Sequence, residues 1–218
     1  MSEIWFTSDH HWGHANIIRF SRRPFADVDE MDAALVERWN EVVKPGDTVY
    51  HVGDIFLHKD RSRALEIAGR LAGQICLVKG NHESVAMTMK DRFAWIKDYA
   101  EIKVEDPDAP SGKRLIVLCH YAFRVWNKSH HGSWHLYGHS HGSLPDDPNA
   151  RSFDVGVDCH DYRPISYARV KEIMAGKQFV PAGRANASNS ACCSPRAGAP
   201  PRQRRFSPPS SREAIPMC

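Results

Sequence analysis

The sequence lacks paired cysteines, long hydrophobic runs and an apolar leader. Its six cysteines include no Cys-x-x-Cys pair, which argues against a cysteine zinc site. No apolar run approaches the roughly 18 residues that a membrane helix needs, and the first residues show no charged-then-apolar leader. These absences predict a cytoplasmic protein with reduced thiols and no membrane partner.

The end of the chain differs in composition from the rest. Residues 183–218 hold six Arg, one Glu and six of the fourteen prolines, a composition that predicts disorder. Residues 1–182 carry 23 Lys and Arg and 25 Asp and Glu, a net charge of −2. We therefore expect one domain over 1–182 followed by a disordered tail. Because the tail supplies the positive charge of the whole chain, that charge does not indicate a nucleic-acid surface on the domain.

Short apolar runs alternate with amphipathic segments along the domain. Helical spacing of apolar residues predicts helices at 29–43 and 61–71, and Ser166 reads as the N-cap of a closing helix that runs to about Met174. The predicted strands are 3–8, 48–52, 74–79, 114–119, 134–137 and 153–157. Strands separated by helices predict a layered α/β domain.

Thirteen histidines are unusually many for this length, and most stand beside Asp, Asn or Gly. The clusters that directly follow five predicted strands are Asp9-His10-His11, Gly53-Asp54, Gly80-Asn81-His82-Glu83, His120 and Gly138-His139-Ser140-His141-Gly142. Ligand sites in open α/β sheets assemble at the carboxyl ends of strands. We therefore expect the five clusters to meet at one edge of the fold.

The residue types in these clusters predict a metal site. Carboxylate, imidazole and amide oxygen together suit Mn²⁺, Fe or Zn²⁺, whereas Ca²⁺ prefers oxygen alone. Asp9 and His11 are two residues apart, as are His139 and His141. On extended backbone both members of each pair would face the same side.

The five clusters resemble the five sequence blocks of calcineurin-like metallophosphoesterases. Their order, over positions 9–141, is Asp-x-His, Gly-Asp, Gly-Asn-His-Glu, His and Gly-His-x-His. The stretches Ser8-Asp9-His10-His11-Trp12-Gly13-His14 and Val155-Gly156-Val157-Asp158 resemble the small bacterial and phage members. The resemblance implies a four-layer β-sandwich, with two sheets flanked by helices. It also implies a dimetal site at the carboxyl-terminal edge of the strands.

The resemblance further implies ligands for two divalent ions. The ligands implied for the first ion are Asp9, His11, Asp54 and His141. The ligands implied for the second ion are Asp54, Asn81, His120 and His139. Asp54 would bridge the ions, one carboxylate oxygen to each. Manganese is the favoured metal, with iron, zinc and nickel as alternatives.

The implied reaction is hydrolysis of a phosphodiester or phosphomonoester by a metal-bridging hydroxide. Family precedent places His82 near the leaving-group oxygen, as an acid or a transition-state stabiliser. Candidates for contacting the substrate are His14, Asn16 and Arg124. The expected partner is a small phosphate ester. Nucleic acid is not favoured because the domain is net negative, and a homodimer remains open.

Three alternatives stay open. A nuclease or cyclic-nucleotide phosphodiesterase would use the same metals, and a basic groove with stacking aromatics would favour it. A non-catalytic metal-binding scaffold belongs to another class of function, but such relatives usually lose a ligand or the His of the Gly-Asn-His block, and this sequence keeps all of them. An Arg-rich tail that binds nucleic acid or a partner is the third, although its mixed composition also fits an extension without function.

Overall fold

The computed structural model describes residues 2–58 and 60–179. Within these residues the strands are β1 (Ile4–Thr7), β2 (Thr48–His51), β3 (Gln74–Val78), β4 (Trp95–Lys97), β5 (Ala100–Glu105), β6 (Lys113–Leu118), β7 (Trp134–Tyr137), β8 (Ser152–Asp154) and β9 (Ile165–Ser166). The α-helices are α1 (Ala15–Phe20), α2 (Val28–Val42), α3 (Arg61–Arg70) and α4 (Tyr167–Ala175). The predicted tail, 183–218, lies outside the described residues, so the domain boundary and the tail's disorder stay predictions.

The strands form two sheets whose parallel members point their carboxyl ends the same way. One sheet has the order β4-β3-β2-β1-β9, with β9 antiparallel to β1 and the other pairs parallel. The second sheet has the order β5-β6-β7-β8, with β5 antiparallel and the other pairs parallel. A bridge joins Ser8, just after β1, to Gly156, which follows β8. The loops after both sets of strands therefore meet at one edge.

The alternation of side chains along the strands separates two apolar clusters. Trp5 of β1 packs in a cluster that also contains Trp39 of α2. The next residue, Phe6, packs in a second cluster with Leu136 of the other sheet and Met174 of α4. The predicted sandwich of two sheets flanked by helices is confirmed.

Helix ends follow their capping residues. The side chain of Asp27 accepts a hydrogen bond from the Glu30 amide at 2.9 Å and begins α2. Ser166 accepts a hydrogen bond from the Arg169 amide at 3.2 Å and begins α4, as the sequence predicts. Among the described residues no helix has the length and apolar character needed to cross a membrane.

The structure differs from the sequence prediction in five elements. It contains α1, β4, β5 and β9, for which the sequence predicts no element. The strand predicted at 153–157 ends at Asp154 because the Asp154 side chain accepts a hydrogen bond from the Gly156 amide at 2.7 Å. That bond turns the chain into the 3-10 turn Val157–Cys159.

Candidate metal centre

The loops that follow the strands bring the predicted ligands into two adjacent groups. In each group the nitrogen and oxygen atoms that face one another lie within 4.8 Å. The first group consists of Asp9, His11 and His141, and the second of Asp54, His120 and His139. Asn81 adjoins the second group, since its Oδ1 lies 3.2 Å from His120 Nε2.

Asp54 lies between the two groups and presents one oxygen to both. Its Oδ2 is 3.6 Å from His11 Nε2 and 3.5 Å from His120 Nε2. Its Oδ1 accepts a hydrogen bond from the His82 amide at 2.9 Å. A backbone amide holds Oδ1, and Oδ2 is the oxygen that faces both groups. The bridging of two ions by the Asp54 carboxylate stays a prediction.

Asp9 is held in the same manner, with one oxygen bound and one free. Its Oδ2 accepts a hydrogen bond from the His139 amide at 2.9 Å. Its Oδ1 is buried without a hydrogen-bond partner, 3.8 Å from His11 Nε2 and 3.9 Å from His141 Nε2. Two ligands of a tetrahedral ion, each 2.0–2.2 Å from it, lie about 3.4 Å apart. Unpaired buried atoms at nearly this spacing fit a divalent ion.

In two of the histidines, the ring nitrogen that points away from the site forms a hydrogen bond that fixes the orientation of the ring. His120 Nδ1 lies 2.8 Å from the Val52 carbonyl oxygen, and His141 Nδ1 lies 2.7 Å from Asp158 Oδ2. When the ring is neutral, each Nδ1 donates its proton outward and Nε2 carries the lone pair, which faces the carboxylates. This is the tautomer that a metal ligand requires.

Five of the seven predicted ligands have a left-handed backbone. Their φ angles are 58° for Asp9, 54° for His11, 57° for Asp54, 69° for His139 and 47° for His141. The expectation that each Asp/His or His/His pair lies on extended backbone is wrong. The chain curls tightly after each strand, and the curl turns both members of a pair toward the site. Such conformations cost non-glycine residues about 1–3 kcal/mol each and cluster at functional sites.

Two glycines allow the loops to approach this closely. A Cβ at Gly138 would lie 2.4 Å from Asp9 Oδ2, and a Cβ at Gly53 would lie 2.3 Å from His120 Nδ1. Both distances are far shorter than van der Waals contact. Any side chain at either position would push a predicted ligand out of place.

The charges of the site favour a cation. Burial raises the pKa of Asp9 to about 6 and lowers the pKa of His11 to about 2, so the His11 lone pair is free at neutral pH. Burial opposes charge on His120 as well, but its hydrogen bond to Asp54 and the nearby carboxylates raise its pKa to about 9. Without metal a proton on His120 offsets the carboxylate charge. A divalent ion would displace that proton and supply the charge itself.

A buried arginine connects the loop that carries Asp9 to the carboxylate that orients His141. The side chain of Arg23 is fully buried and donates to both carboxylate oxygens of Asp158, at 2.9 and 2.8 Å. It also donates to the carbonyl oxygens of Asp9 and His10, at 2.6 and 2.8 Å. Through Asp158 it therefore orients His141, and through the backbone it fixes the loop that carries Asp9. The sequence alone predicts no role for either residue.

This network predicts a selective loss of metal affinity in Asp158→Asn. Removing an outer-shell carboxylate from a metal-bound histidine typically weakens metal binding about 10–100-fold. We expect a loss of that size at one of two Mn²⁺ sites, the one that contains His141, with kcat recovering to near wild type at saturating Mn²⁺. Calorimetric titration with Mn²⁺ measures the affinities.

The matched control is Asp161→Asn, since Asp161 stands in the same turn but its side chain is 76% exposed. An Asp158→Asn protein with both Mn²⁺ affinities unchanged would contradict the role given to Asp158. A loss of kcat that excess Mn²⁺ does not restore would contradict it as well.

The other predicted site residues lie at different distances from the metal groups. His82 and His14 line the same cleft as the ligands, a cavity of about 550 Å³. His14 also lines a neighbouring cavity together with Asn16. Arg124 lines a separate cavity with Trp126. The structure thus brings His82 and His14 to the cleft and does not bring Arg124 there.

A family model described as calcineurin-like phosphoesterase matches residues 2–122. The chain belongs to the calcineurin-like phosphoesterases. The family supports a metal-dependent phosphoesterase in general terms and implies divalent ions at a dimetal site. The matched range includes His120 but ends before His139 and His141, so the place of these two in the site rests on geometry.

Relatives of this calcineurin-like phosphoesterase include archaeal and phage proteins. The uncharacterized protein MJ1445 of Methanocaldococcus jannaschii is 32% identical over 184 residues, which cover 81% of this chain and 94% of the relative. The Gene 66 protein of Mycobacterium phage D29 is 31% identical over 193 residues, which cover 78% of this chain and 95% of the relative. The predicted resemblance to a small phage-type member is consistent with this finding.

A solved structure shares the fold. The crystal structure of AQ665, a protein of unknown function from Aquifex aeolicus, matches with a TM-score of 0.61 at 24% identity, over 79% of this chain and 100% of that one. At this identity the likeness shows the fold alone.

Proposed function

We propose that this calcineurin-like phosphoesterase is a dimetal phosphodiesterase that uses Mn²⁺. The observation that supports two ions most directly is the position of Asp54 Oδ2, which faces His11 at 3.6 Å and His120 at 3.5 Å. One ligand oxygen between two ligand groups suits a pair of ions a few ångströms apart. The mixture of carboxylate, imidazole and amide oxygen suits Mn²⁺.

The metals and the protein divide the chemistry between them. When bound, two divalent ions supply the charge that activates water and neutralises the phosphate oxygens. His82 is suited to donate a proton to the leaving-group oxygen, because it lines the cleft and its backbone amide binds Asp54. Its ring centroid lies 5.7 Å from that of His11, and His82 belongs to neither metal group.

A diester is favoured over a monoester by the lining of the cleft. The described residues that line it include no Lys or Arg. A monoester carries about −1.5 to −2 charge at neutral pH, and proteins commonly clamp such a group with arginine. A diester carries a single negative charge, which the ions alone can balance.

Hydrolysis of two matched substrates tests this proposal. Methyl p-nitrophenyl phosphate and p-nitrophenyl phosphate share a leaving group and differ by one methyl ester, which removes one negative charge. We expect a higher kcat/KM for the diester, loss of both activities on chelation and recovery with Mn²⁺. Activity that survives chelation would refute the dimetal assignment, and a higher kcat/KM for the monoester would refute the diester preference.

A further inference from the structure

One large apolar side chain in the cleft is exposed to solvent. Phe20 is the last residue of α1 and is 66% exposed, whereas Ile17, one turn earlier, is 5% exposed and packs in the core. A single exposed apolar residue is ordinary on a protein surface. Among the described residues five large hydrophobic side chains are exposed, and Phe20 is the one of these that lines the cleft.

The Phe20 ring is connected to the first metal group through the ring of His14. Its centroid lies 6.4 Å from the ring of His14, and the His14 ring lies 5.5 Å from that of His11. Two successive ring contacts, His11 with His14 and His14 with Phe20, therefore connect a predicted ligand to Phe20. A phosphate bound at the metals would bring its ester group within reach of this ring.

The surroundings of Phe20 suit a flat group joined to an anion. The guanidinium carbon of Arg19 lies 5.4 Å from the centroid of the Phe20 ring, so a cation accompanies the ring although Arg19 does not line the cleft. Ser21 also lines the cleft and brings a hydroxyl next to the ring. The cavity of about 550 Å³ is of the size that holds a small-molecule ligand.

We infer that Phe20 forms a stacking subsite for an aromatic ring of the substrate, so that the phosphoester cleaved here carries a nucleobase or an aryl group. Stacking tolerates any flat ring, because every base has a π-face. The inference rests on the proposed function, since the metals must hold the phosphate that places the ring.

Binding of two pairs of phosphates to the Mn²⁺-loaded full chain tests the subsite. Adenosine 5′-monophosphate and ribose 5-phosphate differ in the base alone, and phenyl phosphate and methyl phosphate differ in the ring alone. Stacking of a base on an aromatic side chain is worth about 5- to 150-fold in affinity. We expect wild type to prefer the ring-bearing member of at least the adenosine pair by such a factor in calorimetry.

Variants of Phe20 test whether its side chain causes the preference for the ring-bearing phosphate. Phe20→Ala should abolish it, Phe20→Trp should keep it, and Val125→Ala, at another exposed apolar residue (76%), should leave it intact. A preference for the base without one for phenyl phosphate would assign the subsite to nucleotides, and preferences in both pairs would assign it to aromatic rings in general.

The results that would overturn the inference are distinguishable from one another. If ribose 5-phosphate binds in a Mn²⁺-dependent manner but the base adds nothing, or if the preference survives in Phe20→Ala, the subsite is wrong and the proposed function stands. If neither sugar phosphate binds although the Mn²⁺-loaded chain hydrolyses the p-nitrophenyl diester, the subsite is wrong and the proposed function stands. If that diester is not hydrolysed either, the proposed function fails and the subsite fails with it.

Discussion

Replacing Asp54 by Asn is expected to lower kcat/KM by about 10³-fold or more, because metal ions supply several kcal/mol of transition-state stabilisation and this one change weakens both sites. Asp54 Oδ2 faces His11 and His120 at nearly equal distances, so this one carboxylate serves both groups. Asn keeps the size of the side chain and tolerates the left-handed backbone at this position, where φ is 57°. The decrease in kcat/KM therefore measures the effect of removing the negative charge of the carboxylate.

The measurement is kcat/KM beside Mn²⁺ content by elemental analysis. Asp54→Ala serves as a second variant, and Asp98→Asn, at a carboxylate that is 84% exposed, controls for loss of surface charge. Thermal unfolding of each variant shows that the fold survives. An Asp54→Asn protein with full activity, or one that keeps two ions with unchanged affinity, would contradict the shared-ligand role.

Replacing His82 by Ala is expected to slow the reaction while both ions stay bound. General acid catalysis typically contributes about 10²–10⁴-fold, and its benefit depends on the leaving group. An alkoxide needs a proton as the bond breaks, whereas p-nitrophenolate departs without one. We expect a loss of that size on nucleoside or alkyl esters and a much smaller loss on p-nitrophenyl esters.

The experiment compares kcat/KM for both ester types with the metal content of the same preparation. His130→Ala is the matched control, since His130 is exposed and lines a different cavity. Equal losses on both ester types with two ions bound would exclude the acid role and leave His82 as a positioning group. Loss of metal along with activity would instead make it part of the ligand network.

The approximate place of the site could be predicted from sequence because parallel strands share an edge. Asp9, Asp54 and His120 each follow a strand within three residues, and strand ends are set by apolar runs that the sequence displays. The local geometry could not be predicted. The left-handed conformations of His139 and His141 depend on bonds between loops, such as the one from the His139 amide to Asp9, and no local pattern encodes them.

The supporting residues were missed for a related reason. Arg23 and Asp158 are 135 positions apart, and nothing near either residue in the sequence points to the other. Arg23 stands beside Arg22 and Pro24, where an exposed turn is the ordinary interpretation. The sequence does hold one clue, since Val155-Gly156-Val157-Asp158 is an apolar run that ends in a carboxylate after a glycine.

Of the elements that were not predicted from the sequence, β5 has a recognisable sequence pattern and α1 does not. In β5, Ala100 and Val104 are buried while Glu101, Lys103 and Glu105 are exposed, the period-two alternation of a half-buried strand. By contrast α1 has six residues and no side-chain bond at its N-cap. Its position is fixed by Ile17 packing in the core, a tertiary effect that overrides weak local preference.

Anomalous diffraction from crystals soaked in Mn²⁺ tests the dimetal claim most directly. The account predicts two anomalous peaks per chain. One should lie among Asp9, His11 and His141, the other should lie beside His120 and His139, and Asp54 Oδ2 should contact both. A single peak, or two peaks of which one lacks Asp54, would contradict it.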